Sequence, residues 1–136
     1  YSEETREYIA DIDVDADIEL LREQGIELQP SSERVLRVCT TLLQRAAAIG
    51  CCPADIAGMM SRPMPNRMSD LEKLVSRAAS SASAAVRADD GLVVHRPKGT
   101  GWDDLEQDDR VEARFMVEYT KLLDSYLEGF EPQVEL

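Results

Sequence analysis

Three observations predict an all-α protein, a compact bundle of four to five helices in a single domain over residues 1–136. Residues 31–50 place Val35, Cys39, Leu42, Ala46 and Ile49 at alternating steps of four and three, one stripe of a helix that Leu36, Val38 and Leu43 widen. Residues 69–88 open on Ser69-Asp70-Leu71-Glu72, a capping box in which the Ser69 hydroxyl accepts from the Glu72 amide while the Glu72 side chain reaches back to the Ser69 amide. Residues 103–128 set Val111, Phe115, Met116, Tyr119, Leu122, Leu123, Tyr126 and Leu127 on a helical period and stop at Gly129. A chain of this length buries roughly two thirds of its unfolded surface. No disulfide framework is needed to hold it.

In chain order, residues 2–10 read as a short helix capped by Ser2. Acids at 11, 13, 15, 17 and 19 alternate with Ile12, Val14, Ala16 and Ile18, which fits a strand or a cap followed by a helix. The second reading is preferred, with Asp15 capping a helix over 16–24 and Gly25 stopping it, because acids suit the positive end of the helix dipole. Residues 26–29 then run extended toward Pro30 and are candidates to pair with the extended piece 92–94. Ser31 or Ser32 caps the central helix, Gly50 ends it, and its wide apolar face calls for partners on more than one side.

Pro53 opens a shorter helix over 53–61 with Ile56, Met59 and Met60 on its inner face. Two prolines make 62–68 a loop. The helix from Ser69 buries Leu71, Leu74, Val75, Ala78, Ala82, Ala85 and Val86, and its run of Ala and Ser lets another helix approach closely. Asp89-Asp90-Gly91 is a turn, 95–101 a basic surface loop, and 130–136 a tail. The final helix holds most of the aromatic mass and should dominate burial.

Charge divides the chain into an acidic N-terminal arm, a basic middle and an acidic C-terminal part. Residues 1–29 carry ten acids against Arg6 and Arg22, net −8; residues 30–100 carry six acids against ten bases, net +4; residues 101–136 carry eleven acids against three bases, net −8. Acidic ends fold back on the middle, attract a basic partner or keep the chain dissolved. Three cysteines, Cys39, Cys51 and Cys52, are an odd number with no framework spacing, and they point to reduced thiols and an intracellular, cytoplasmic setting. No apolar run is long enough for a membrane span, the N-terminus lacks signal-peptide features, and Tyr1 in place of Met fits a segment of a longer polypeptide.

Chemistry-bearing patterns are few. Asp11, Asp13 and Asp15 match the opening ligands of an EF-hand loop, but its sixth position is Ala16 and its twelfth Arg22, so no metal site is expected. His95 is the single histidine, and Cys51-Cys52 lacks zinc-ligand spacing. Cys52 with His95 has no local mark of an activated thiol, and Lys98-Gly99-Thr100-Gly101 lacks the residue order of a phosphate loop. No catalytic residue and no cofactor is expected.

Within 42–62, Ala46 lies four residues before Gly50 and Ile56 six after it. This stretch resembles the helix-turn-helix of bacterial regulators and sigma-type DNA-binding domains. The resemblance implies that Ala46 admits the second helix, Gly50 turns the chain and Ile56 locks the pair, with Arg62, Arg67, Arg96 and Lys98 on phosphates. Arg45 departs from the pattern, and Ala54, Asp55, Ala57 and Gly58 are poor readers of base edges. The leading expectation is therefore a non-catalytic module that binds another protein or a second copy of itself, and not a membrane. Its candidate contacts are Asp103, Asp104, Glu106, Asp108, Asp109 and Glu112. DNA binding is the alternative, and an acidic nucleic-acid mimic a further one.

Overall fold

A computed structural model describes residues 2–51, 53–60, 69–91 and 109–130, the side chains of 53–55 excepted. The all-α class holds, with six helices among the described residues: α1 (Glu3–Ala10), α2 (Val14–Glu23), α3 (Pro30–Ala48), α4 (Pro53–Met60), α5 (Asp70–Asp89) and α6 (Asp109–Leu127). The chain divides into two units, residues 1–56 with 130–136 and residues 57–129.

In the first unit α1 and α2 both pack on α3, but they leave Val35, Leu36 and Leu43 of its broad apolar face exposed. Ser2 caps α1, its Oγ accepting from the Thr5 amide at 3.3 Å. The cap of α2 is Asp13 and not Asp15: the Asp13 carboxylate accepts from the Ala16 amide at 3.1 Å, and the helix starts two residues earlier than expected. That shift leaves Asp15 in the first turn, where it pairs with Arg37 of α3 at 3.0 Å. Gly25, at φ 81°, closes α2 with its own N–H on the Arg22 carbonyl and the Ile26 N–H on the Leu21 carbonyl, the Schellman arrangement.

Neither Ser31 nor Ser32 caps α3. Pro30 occupies the first helical turn, its fixed φ already helical and its missing N–H in need of no partner, so Gln29 serves as a cap without a side-chain bond. At the other end Gly50, at φ 74°, donates to the Ala47 carbonyl at 3.0 Å, and the buried Cys51 donates to Ala46 at 2.9 Å. Residues 26–29 carry no regular structure, and the 92–94 partner expected for them lies outside the described residues.

The second unit, which also takes in residues 57–60 of α4, centres on an antiparallel pair, α5 on α6. Ser69 caps α5 as its capping box predicts, accepting from the Glu72 amide at 3.2 Å. Two interleaved i, i+4 rows of α5 are buried, Leu71–Val75–Ala79–Ser83 and Leu74–Ala78–Ala82–Val86. From α6 one strict row, Val111–Phe115–Tyr119–Leu123–Leu127, is buried with them. Small side chains on α5 leave room for large ones on α6, the complementarity that ridge-into-groove packing requires. Phe115 and Tyr119 stack at 6.0 Å between ring centroids. Each large side chain so removed from water is worth about 1.5 to 3 kcal/mol, and here they are concentrated on one seam.

Both ends of the hairpin are pinned. At the C-terminal end of α5, Asp90 receives two bonds from the Arg110 guanidinium at 2.8 and 3.1 Å. At its N-terminal end, the Tyr126 hydroxyl of α6 donates to Asp70. Burial first, then the Asp70 hydrogen bond and its negative charge, push the Tyr126 phenol up to about 12. The part of the expected final helix over 103–108 lies outside the described residues.

Candidate functional site

The buried line of α3 runs Arg34–Val38–Leu42–Ala46, rotated from the expected stripe of Val35, Cys39, Leu42, Ala46 and Ile49. Periodicity gives the direction of an apolar face but not which edge of a wide face its neighbours cover. The uncovered edge carries Val35 at 38%, Leu36 at 40% and Leu43 at 37% exposure, with the half-buried Cys39 between them. Val35, Cys39 and Leu43 are successive members of one i, i+4 row, and Leu36 lies seven residues from Leu43, so the four share a side of the helix. Burial raises the Cys39 thiol above its ordinary pKa, which disfavours the thiolate that a nucleophile or metal ligand needs.

Away from this apolar edge, α3 is bound to its neighbours by polar groups. Arg37 pairs with Asp15 at 3.0 Å and with Glu33 at 3.7 Å, while Arg22 reaches Glu33 at 3.3 Å. Arg6 of α1 donates to the carbonyls of Ala47 and Ala48, both at 2.8 Å, and so caps the C-terminus of α3 from outside. In return the Gln44 side-chain amide donates to Ile12 at 2.7 Å, Ile9 at 3.3 Å and Ala10 at 3.4 Å, at the C-terminal end of α1. A cation at a helix C-terminus meets the negative end of the dipole, and orphan carbonyls at both ends find donors.

The expected contact residues fall mostly outside this description. Asp103, Asp104, Glu106 and Asp108 lie outside the described residues; Asp109 is exposed and Glu112 half-buried, both in the first turn of α6. Arg62, Arg67, Arg96 and Lys98, named for DNA, also lie outside it, as do Cys52 and His95. For the helix-turn-helix pattern, Ala46 is buried, Gly50 adopts the left-handed turn and Ile56 is half-buried. On α4, Ala57, Gly58 and Met60 are exposed.

Of the EF-hand-like acids, Asp13 is engaged as a cap and Asp15 with Arg37. No group of three or more His, Cys, Asp or Glu side chains among the described residues could hold a metal ion. No helix among the described residues is long and apolar enough to cross a membrane. Sequence reasoning missed Arg6 and Gln44. The one signal was that Arg6 and Arg22 are the sole cations of residues 1–29.

No family model matches the chain. No solved structure matches it either. Among curated proteins it is similar to phosphatidylinositol 4-kinase gamma 3 of Arabidopsis thaliana, 44% identical over 78 residues, 57% of this chain and 14% of that protein. Phosphatidylinositol 4-kinase gamma 4 of Oryza sativa subsp. japonica is 37% identical over 78 residues, 57% of this chain and 14% of that protein. Phosphatidylinositol 4-kinase gamma 8 of Arabidopsis thaliana is 34% identical over 120 residues, 79% of this chain and 21% of that protein. The chain thus spans about a seventh to a fifth of the length of these relatives.

Proposed function

We propose that this chain is a non-catalytic, intracellular protein-binding module of the phosphatidylinositol 4-kinase gamma type, and that it docks through the uncovered edge of α3 onto another part of such a kinase. The observation that carries the reading is the shared exposure of Val35, Leu36 and Leu43 on a helix that α1 and α2 contact elsewhere. Apolar side chains grouped on one helix face are the usual anchors of helix-in-groove recognition. The relatives support the choice of occupant: most of each kinase polypeptide lies beyond the matched stretch. Asp109 and Glu112 in the first turn of α6, with Asp103, Asp104, Glu106 and Asp108 before them in the sequence, supply a second, charged contact.

The test is calorimetric titration of this chain into Arabidopsis phosphatidylinositol 4-kinase gamma 3 from which the matching residues have been deleted. Leu36→Asp with Leu43→Asp should weaken binding at least about tenfold with helicity unchanged, since a carboxylate cannot be buried unpaired. Asp109→Lys with Glu112→Lys should weaken it less and make it less sensitive to salt. Equal affinity of the Leu variants would reject the α3 edge as the contact.

A second reading, a DNA-binding helix-turn-helix using Arg62, Arg67, Arg96 and Lys98, draws on the left-handed Gly50 between α3 and α4. It requires binding to a labelled duplex that falls steeply with salt. No binding at low salt removes it.

A further inference from the structure

We propose that α1 is a releasable strap, latched to α3 by Arg6 and Gln44, whose undocking lengthens the uncovered edge of α3 by one turn. The proposal builds on the docking reading and adds its regulation. Three observations converge on it. First, α1 buries no residue fully, so little apolar area holds it in place. Secondly, the hydrogen bonds that tie it to α3 are polar and reciprocal, Arg6 on the Ala47 and Ala48 carbonyls and Gln44 on those of Ile9, Ala10 and Ile12. When these bonds open, water replaces every partner, so release costs far less than unfolding a packed helix.

Thirdly, the row Val35–Cys39–Leu43–Ala47 changes abruptly along its length. Val35 and Leu43 are exposed at 38% and 37%, whereas Ala47, one turn further, is at 1% where Arg6 of α1 binds its carbonyl. With α1 released, Ala47 joins the row and the apolar edge spans four successive positions. A partner that needs the whole row therefore competes with α1. By linkage, whatever loosens the latch strengthens that partner to the same degree.

Hydrogen exchange read by mass spectrometry on the full chain tests the latch. In Arg6→Ala/Gln44→Ala, amides of residues 3–12 should exchange about tenfold faster or more, as expected for the loss of several hydrogen bonds, while α5 and α6 keep wild-type protection. Arg37→Ala, which unpairs Asp15 of α2, serves as control and should leave α1 unchanged. Wild-type exchange in α1 of the double variant, or loss of protection in α3 together with α1, would overturn the strap. The second readout is alkylation of Ala47→Cys by iodoacetamide, localised by fragment ions. Its rate should rise about tenfold when the latch substitutions are added, following the same opening. Equal rates in both backgrounds would show that α1 does not cover this position. Neither readout involves a partner, so both decide the strap even if docking onto a kinase segment fails.

Discussion

α1 meets α3 through a guanidinium and an amide placed on backbone carbonyls; α5 meets α6 through three rows of side chains with few polar atoms. The two contacts join helices by different chemistry. On the seam between α5 and α6, area leaves water in bulk and every atom has a shape-matched neighbour, so stability is large and sensitive to volume. Around α1, water competes for each bond, and the net gain per bond is about 0.5 to 1.5 kcal/mol, or about 1.5 to 3 where a charge takes part. The hairpin is built to persist and the α1 contact to exchange.

Volume changes on the seam are the most severe way to test this contrast. Leu123→Ala, which empties a fully buried position of α6, should cost about 2 to 5 kcal/mol in urea unfolding followed by circular dichroism. A cost below about 1 kcal/mol would mean that the hairpin is not closely packed. Adding volume from the other side is the next test. Ala82→Leu forces a large side chain into the close approach of the two helices and should cost about 1 to 3 kcal/mol. On the exposed side of the same helix, Ser81→Leu should change unfolding by no more than about 0.5 kcal/mol.

The polar pin at the hairpin's end gives a smaller, pH-dependent effect. Tyr126 has a folded pKa of about 12 against an ordinary value of 10, so its neutral form is the one the fold prefers. Its contribution is complete below pH 10 and disappears as the pH rises toward about 12. Absorbance at 295 nm should show one late-titrating phenol that Tyr126→Phe removes, and the same substitution should flatten the alkaline loss of stability over this window. An identical alkaline profile in the variant would remove Asp70 as a partner that matters. A weak effect is also expected of Arg37→Ala, which breaks ion pairs open to solvent and should shift stability by about 0 to 1 kcal/mol, shrinking with added salt.

The same contrast explains what could be read from the chain alone. Leu71, Leu74, Val75, Ala78, Ala82 and Val86 were legible on α5, as were Val111, Phe115, Tyr119, Leu123 and Leu127 on α6. Apolar periodicity and a helical seam are one pattern seen twice. Ser69 was legible because a capping box is local, whereas Ser31 and Ser32 misled because Pro30 starts the helix without needing a side-chain cap. The uncovered edge of α3 was half legible: Val35, Leu36 and Leu43 stood out as apolar, but which neighbours leave them bare is a tertiary fact. The partners of Arg6 and Gln44 were invisible because their acceptors are main-chain carbonyls, which every residue possesses.

The small residues of α5 also bear on how such a chain can diverge. Ala78, Ala79, Ala82 and Ser83 leave no room for growth, so drift at these positions is confined to exchanges among the smallest side chains. Lys73, Arg77, Ser81 and Ala88 face outward and can change size and sign with little effect on the fold. One helix thus has two tolerances to substitution, a narrow one set by close packing and a wide one open to solvent. The outward positions offer a surface that selection can rewrite while the seam beneath it stays the same.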